Sequence, residues 1–202
     1  SIESVKDRLY IKLINRKKNT EFLKEVPYEE FLDLAIVPYV RGYDKRIGNG
    51  LIMVRNEHLK LWGVDGKTVI EAAKENTHDH EDFNLSHILD VLGNLGRTNE
   101  TTGIFDRAEF PMYVATNRMM SNGAVLLTMK DKLKEFGEGI GGDYYIIPSS
   151  VHELILLRLE KAGVCAEIDE MVRQVNATEL SPDDVLSDHT YMYSLKDEVL
   201  IF

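Results

Sequence analysis

Short blocks of hydrophobic and polar residues follow one another along the chain, and their spacing predicts a mixture of strands and helices. Residues 7–15 alternate as a half-buried strand does. In the rest of the first half, the pattern predicts strands at 34–40 and 51–54 and a helical turn at 29–34. It predicts helices at 56–62 and 67–76, a short helix after Asn19 or Thr20, and another that begins at Asn84 or Ser86. Residues 77–83 are predicted to be a polar connection. Pro38 places the second strand at a sheet edge or a bulge.

The second half of the chain continues the same mixture. The pattern predicts strands at 112–116, 124–129, 144–147 and 152–157, helices at 130–137 and 167–175, and a hairpin formed by 190–195 and 198–202. Because short strands joined by turns alternate with helices, we expect an α+β fold with mixed, mainly antiparallel sheets.

Two Asn-Gly pairs, Asn49–Gly50 and Asn122–Gly123, lie between apolar runs. Asn-Gly favours the type I′ turn of a hairpin, because both central positions need positive φ. Residues 34–62 and 112–136 are therefore predicted to form hairpins that each lead into a helix. Either an internal duplication or the shared chemistry of such hairpin–helix units explains the likeness.

Residues 97–106 are rich in Thr, Asn and Gly and have no hydrophobic period. We therefore predict an N-terminal α+β sub-module at 1–98 and a C-terminal one at 107–202. One continuous domain is the alternative.

Composition limits the partners and the compartment. With 34 acidic against 24 basic residues the net charge is -10, which repels nucleic acid and anionic membranes, so neither is expected as a partner. The single cysteine, Cys165, cannot form an intrachain disulfide and is typical of a reducing cytoplasm. The chain starts at Ser1 rather than at a methionine, and we expect further residues upstream in the natural protein.

Neither a metal nor a cofactor is expected. The run His78–Asp79–His80–Glu81–Asp82 offers a single histidine pair in a polar stretch, which is typical of a solvated loop, whereas zinc sites need three or four ligands. The glycines of 137–142 follow a predicted helix and precede a strand, which is the reverse of the order in a phosphate-binding loop.

Reactive side chains gather in two segments, each before a predicted strand. Ser149, Ser150 and His152 lie in the first, and Asp188 and His189 lie in the second. A serine, a histidine and a carboxylate are the groups of a hydrolase, although the chain has no Gly-x-Ser-x-Gly motif. Serine after proline and Ser-Asp before a strand also form ordinary turns. We expect the two segments to approach one another at one rim of a sheet.

A resemblance covers nearly the whole chain. The residues that carry it are the runs at 25–28, 31–37, 112–114, 122–124, 147–153, 171–176 and 186–189. The chain resembles a bacterial family of unknown function whose members occur largely in anaerobic gut bacteria. The resemblance implies a bacterial, cytoplasmic protein that has lost an N-terminal portion, and it implies no activity, cofactor or catalytic residue.

These observations favour a non-catalytic interaction or ligand-binding module in a bacterial cytoplasm, with an unidentified protein or small molecule as its partner and a homo-oligomer as one possible state. The alternative is a hydrolase that uses Ser149, Ser150, His152, Asp188 and His189.

Overall fold

The structure is a computed structural model that describes residues 1–44, 48–94, 111–158, 165–178 and 180–202. The chain divides into two compact units, residues 1–81 and 82–202. Each unit contains an antiparallel sheet with helices, so the predicted α+β class is confirmed. The linker predicted at 97–106 lies outside the described residues.

The first unit is built on a sheet in which a long strand pairs with three others. Its elements are β1 (Leu9–Asn15), α1 (Thr20–Leu23), β2 (Glu29–Phe31), β3 (Leu34–Asp44), β4 (Gly48–Met53), α2 (Asn56–Trp62) and α3 (Gly66–His80). Strand β3 pairs with β1, with β2 and with β4. Residues of β1, α1, β3 and the connection after α1 share a core cluster of Ile14, Leu23, Val26, Ala35 and Val37.

Pro38 lies inside β3, opposite Ile11 of β1, and not in an edge strand as predicted. On the other side of β3, β2 pairs with 34–36 and β4 with 39–44, so Pro38 falls between these two partners. The amide of Ile11 donates to Thr77 rather than to β3, which makes the Ile11–Pro38 pair one without mutual hydrogen bonds. The ring nitrogen of Pro38 therefore points away from β1, to the side on which the Pro38 carbonyl accepts the amide of Val54 at 3.1 Å.

Helix α3 covers the outer edge of β1. The hydroxyl of Thr77, 1% exposed, accepts the amide of Ile11 at 3.0 Å and donates to the carbonyl of Ala73 at 2.7 Å. The side-chain amide of Asn76 donates to the carbonyl of Leu9 at 3.0 Å. An edge strand otherwise presents unpaired backbone groups, and here a helix satisfies them.

Three further predictions for this unit are wrong. Residues 29–31 form a strand rather than a helical turn, because they pair with 34–36 across a tight turn in which Leu32 has a φ of 55°. Strands β3 and β4 form the hairpin predicted for 34–62 and lead into α2, but Asn49–Gly50 lies within β4, because β3 runs on to Asp44 and β4 begins at Gly48. The predicted connection at 77–83 is helical through His80.

The second unit contains a six-stranded antiparallel sheet in the order β10-β9-β7-β8-β6-β5. Its elements are β5 (Phe83–His87), α4 (Ile88–Asn94), β6 (Met112–Asn117), a 3₁₀ helix (Gly123–Thr128), α5 (Lys130–Ile140), β7 (Tyr144–Ile147), β8 (Glu153–Arg158), α6 (Cys165–Thr178), β9 (Tyr191–Ser194) and β10 (Val199–Ile201). The predicted C-terminal hairpin is confirmed as β9 paired with β10.

Adjacent tyrosines of β7 show that helices cover both faces of this sheet. Burial raises the pKa of the Tyr144 phenol, which donates to the carbonyl of Leu133 in α5 at 2.7 Å. Tyr145 points to the other face, where it shares a core cluster with Ile147 of the same strand and with Val172 of α6. The sheet therefore lies between α5 and α6.

Two predictions for this unit are wrong, and both fail through tertiary contacts. Asn84 and Ser86 lie in β5, which pairs with β6, and the helix begins only at Ile88. The strand predicted at 124–129 is instead the 3₁₀ helix Gly123–Thr128, so 112–136 is not a hairpin–helix unit. Asn122 has the positive φ of a turn, 57°, but Gly123 does not, and the Gly123 amide donates to the carbonyl of His152 at 3.0 Å.

Candidate functional site

The two polar segments identified in the sequence, 148–152 and 187–189, lie at the same end of the strands of the second sheet. Strands β8 and β9 are both antiparallel to β7, so both start at the end of the sheet where β7 finishes. Residues 148–152 immediately precede β8, and residues 187–189 precede β9. The amide of Val151 donates to the carbonyl of Asp184 at 2.9 Å, which ties the first segment to the connection that leads into the second.

The imidazole of His152 bridges two loops. Its Nδ1 accepts the backbone amide of Asn122 at 3.1 Å, and its Nε2 lies 3.2 Å from Oδ1 of Asp184. An amide can donate only to an unprotonated Nδ1, and the carboxylate is an acceptor, so the ring is the neutral tautomer with its hydrogen on Nε2. Both ring nitrogens are therefore engaged in contacts within the protein.

Neither Ser149 nor Ser150 is hydrogen-bonded to a histidine ring. The hydroxyl of Ser149 donates to Oε1 of Glu153 at 3.3 Å. The hydroxyl oxygen of Ser150, a residue that is 7% exposed, accepts the backbone amide of His152 at 3.0 Å. These contacts shape the corner before β8.

Asp188 and His189 contact other groups. Oδ1 of Asp188 accepts the side-chain amide of Asn176 at 2.8 Å. The exposed ring of His189 meets Phe202 edge-on, with 5.5 Å between the ring centroids. The carboxylate beside His152 is thus Asp184 rather than Asp188. The catalytic assignment of the five sequence-derived residues stays a prediction.

A pocket of about 180 Å³ lies on the α6 face of the sheet, next to Ser149. Its floor comes from β6, β7 and β8, and its wall comes from α6 and from the corner after β7. The lining residues are Met112, Ile147, Pro148, Ser149, Ile155, Val172 and Asn176. The lining is predominantly apolar, as in most small-molecule sites.

Asn176 is the polar group of the helical wall, and it is 8% exposed. Its amide nitrogen donates to the carbonyl of Ser187 at 2.9 Å and to Oδ1 of Asp188 at 2.8 Å. Both partners are acceptors, so the orientation of the carboxamide is fixed. This residue joins α6 to the segment before β9.

Sequence reasoning missed Asp184, Asn176 and Val172. Asp184 follows the sequence Ser-Pro-Asp and precedes an apolar pair, a pattern that indicates a turn with an acidic side chain. Val172 and Asn176 are four residues apart on α6 and so share one helical face. No local pattern shows that this face covers a cavity.

The run at 78–82, predicted to be a solvated loop, includes the end of α3 and a buried ion pair. Glu81, buried, is paired with Arg41, whose guanidinium lies 3.6 Å from the ring centroid of Tyr10. Burial lowers the pKa of Arg41, but Tyr39 and Glu81 outweigh this and raise it overall. Among the described residues, no three His, Cys, Asp or Glu side chains are arranged to hold a metal ion.

A second cavity, of about 470 Å³, lies in the first unit between β2 and the starts of α2 and α3. Tyr28, 41% exposed, and the exposed Lys67 line it. None of the described helices combines the length and the hydropathy of a membrane-spanning segment.

The chain belongs to DUF5688, a family of unknown function whose model matches residues 1–195. The resemblance noted in the sequence is thus confirmed as membership of a family of unknown function. No curated protein and no solved structure matches the chain.

Proposed function

We propose that the second unit of this DUF5688 protein is a non-catalytic binding module, and that the pocket beneath α6 holds a small apolar molecule. The observation that carries the proposal is the pocket itself, an apolar cavity with two polar side chains at its wall. Ligand sites typically combine a hydrophobic lining with few polar groups that fix orientation.

The size of the cavity supports a small ligand. An apolar cavity of about 150 Å³ is large enough to hold benzene and stays dry when empty. The pocket beneath α6 has about 180 Å³. It therefore has room for one ring with a small substituent or for a short alkyl chain.

The contacts of the neighbouring polar residues support binding over hydrolysis. A serine hydrolase needs a histidine nitrogen that takes the proton of the serine. In His152 one nitrogen accepts the amide of Asn122 and the other faces Asp184. The Ser149 hydroxyl donates to a carboxylate instead.

Benzene is the probe for this proposal. In spectra of methyl-labelled protein, the resonances of Ile147 and Ile155 should shift saturably as benzene is added. Val172→Phe fills the pocket and should abolish the shift. Val199→Phe makes the same change at a residue that is 45% exposed and does not line the pocket, and it should leave the shift intact.

Unshifted methyl resonances in the unmodified protein at saturating benzene would overturn the proposal. Equal loss in both phenylalanine variants would also count against it, because the pocket would then not be the place of binding. Overpacking a core typically destabilises a protein by about 1–3 kcal/mol, so the fold of each variant is checked by its methyl spectrum.

The same proposal places the module in a bacterial cytoplasm. A single cysteine among 202 residues is typical of a reducing compartment. The net charge of -10 disfavours binding to nucleic acid or to anionic lipid, which leaves a small molecule or a protein as the partner.

A further inference from the structure

We infer that the ligand of the pocket beneath α6 is a neutral molecule that carries an N–H or O–H donor, such as a phenol, on a small apolar body. This inference rests on the binding function proposed above. It follows from the hydrogen-bonding roles that the protein leaves open at the pocket wall.

Asn176 lines the pocket, and its carboxamide has an acceptor to offer a ligand. Its amide nitrogen has two hydrogens, and both are donated, one to the carbonyl of Ser187 and one to Oδ1 of Asp188. Because neither partner can donate, the carboxamide cannot be turned around. The carboxamide oxygen accepts no hydrogen bond from a described residue, and it is the group of Asn176 that remains for a ligand.

Ser149 is also an acceptor here. Its hydroxyl hydrogen goes to Oε1 of Glu153, at 3.3 Å between the oxygens. A hydroxyl has one hydrogen and two lone pairs, so the oxygen can still accept. Both polar groups of the lining can therefore accept a hydrogen bond, and the ligand must supply the donor.

The charges around the pocket exclude anions. The described residues that line it include no lysine, arginine or histidine. The carboxylate of Glu153 is one hydrogen bond away from Ser149. A buried carboxylate or phosphate without a cationic partner is strongly disfavoured, so a fatty acid or a phosphate ester does not fit.

A ligand with neither charge nor donor would leave the Asn176 oxygen buried without a partner. Asn176 is 8% exposed, so bulk water reaches this group poorly. Discrimination by sites that hydrogen-bond a ligand comes largely from the unpaired polar group that the wrong ligand leaves behind. The pocket therefore distinguishes a phenol from a hydrocarbon of the same shape.

The test compares four single-ring probes on the full chain at neutral pH. Phenol carries the donor, toluene has the same size without it, pyridine offers only an acceptor, and benzoate is an anion. Shifts of the Ile147 and Ile155 methyl resonances give each dissociation constant. We expect phenol to bind about 2- to 10-fold more tightly than toluene, the range of one neutral hydrogen bond, and pyridine and benzoate to bind more weakly than toluene.

A matched pair of serine variants checks which group is responsible. Ser149→Ala should reduce the preference for phenol over toluene. Ser150→Ala should leave the preference intact, because the Ser150 hydroxyl does not line the pocket.

The outcomes separate this inference from the proposal beneath it. If toluene or benzoate binds as tightly as phenol, the inference is overturned, whereas the binding function stands. If none of the four probes shifts the pocket methyl resonances, the binding function fails and the inference fails with it.

Discussion

Replacing His152 with alanine should destabilise the second unit through a single backbone group. The ring accepts the amide of Asn122, a residue that is 5% exposed. Without the ring, this amide is buried and has no acceptor, which costs about 1–3 kcal/mol. The second contact matters less, because the side chain of Asp184 is 39% exposed and is also bonded to the hydroxyl of Ser181. Losing such an exposed pair costs less than about 1 kcal/mol.

Two further substitutions separate these contributions. The side-chain oxygen of His152→Asn can take the position of Nδ1 and accept the Asn122 amide, whereas the longer His152→Gln reaches toward Asp184 and leaves that amide unpaired. We therefore expect asparagine to lose less than about 1 kcal/mol and glutamine to resemble alanine, at about 1–3 kcal/mol.

Urea unfolding measures these free energies by circular dichroism, and amide hydrogen exchange at Asn122 locates the loss. If His152→Asn is as unstable as His152→Ala, the reasoning is refuted, because the bond to the amide is then not the stabilising contact. An alanine variant as stable as the unmodified protein refutes it too, since water would then satisfy the amide.

Three other predictions concern the two units separately. Thr77→Val should lose about 1–3 kcal/mol in urea unfolding because the Ile11 amide becomes unpaired, whereas Thr77→Ser keeps the hydroxyl and should lose less. Gly123→Ala should destabilise strongly in the same assay because a Cβ there would lie 2.4 Å from a backbone carbonyl oxygen, whereas Gly139→Ala, with nothing within 4 Å, should gain up to about 1 kcal/mol. The hydrogen bond from the Thr68 backbone lowers the pKa of Asp65, so its contribution to stability is present above the ordinary aspartate pKa and is lost as the pH falls through the lowered value. Urea midpoints below about pH 4 should therefore fall less in Asp65→Asn than in the unmodified protein.

Strands with a clear local pattern were predictable from the sequence, and segments shaped by a distant contact were not. Residues 144–147 form β7 as predicted, because four apolar positions bounded by glycines and a proline leave little alternative. Residues 124–129 are equally apolar, but the chain there forms the 3₁₀ helix Gly123–Thr128. Amides at its start bond to carbonyls at 151 and 152, and local periodicity does not record these partners.

The position of the candidate site could be predicted from the sequence, but the hydrogen-bond partners of its side chains could not. Proline, serine and histidine before a strand indicated a polar corner, and the corner is there, at 148–152. The pairing of His152 with Asp184 spans 32 positions and depends on the path of the chain from α6 to β9. The pocket depends on the same path, because α6 forms its wall.

The edge of β1 has a consequence for synthesis of the chain. The acceptor for the Ile11 amide is Thr77, which lies 66 positions further along the chain. At about 5–20 residues per second, a ribosome needs roughly 3 to 13 s to add this stretch. Once β3 (Leu34–Asp44) has been added, β1 of a nascent chain can pair on one side, but its other side has no cover until Thr77 follows. Unpaired backbone on that side is open to a chaperone or to a neighbouring nascent chain, and translational pausing before residue 77 would prolong that exposure.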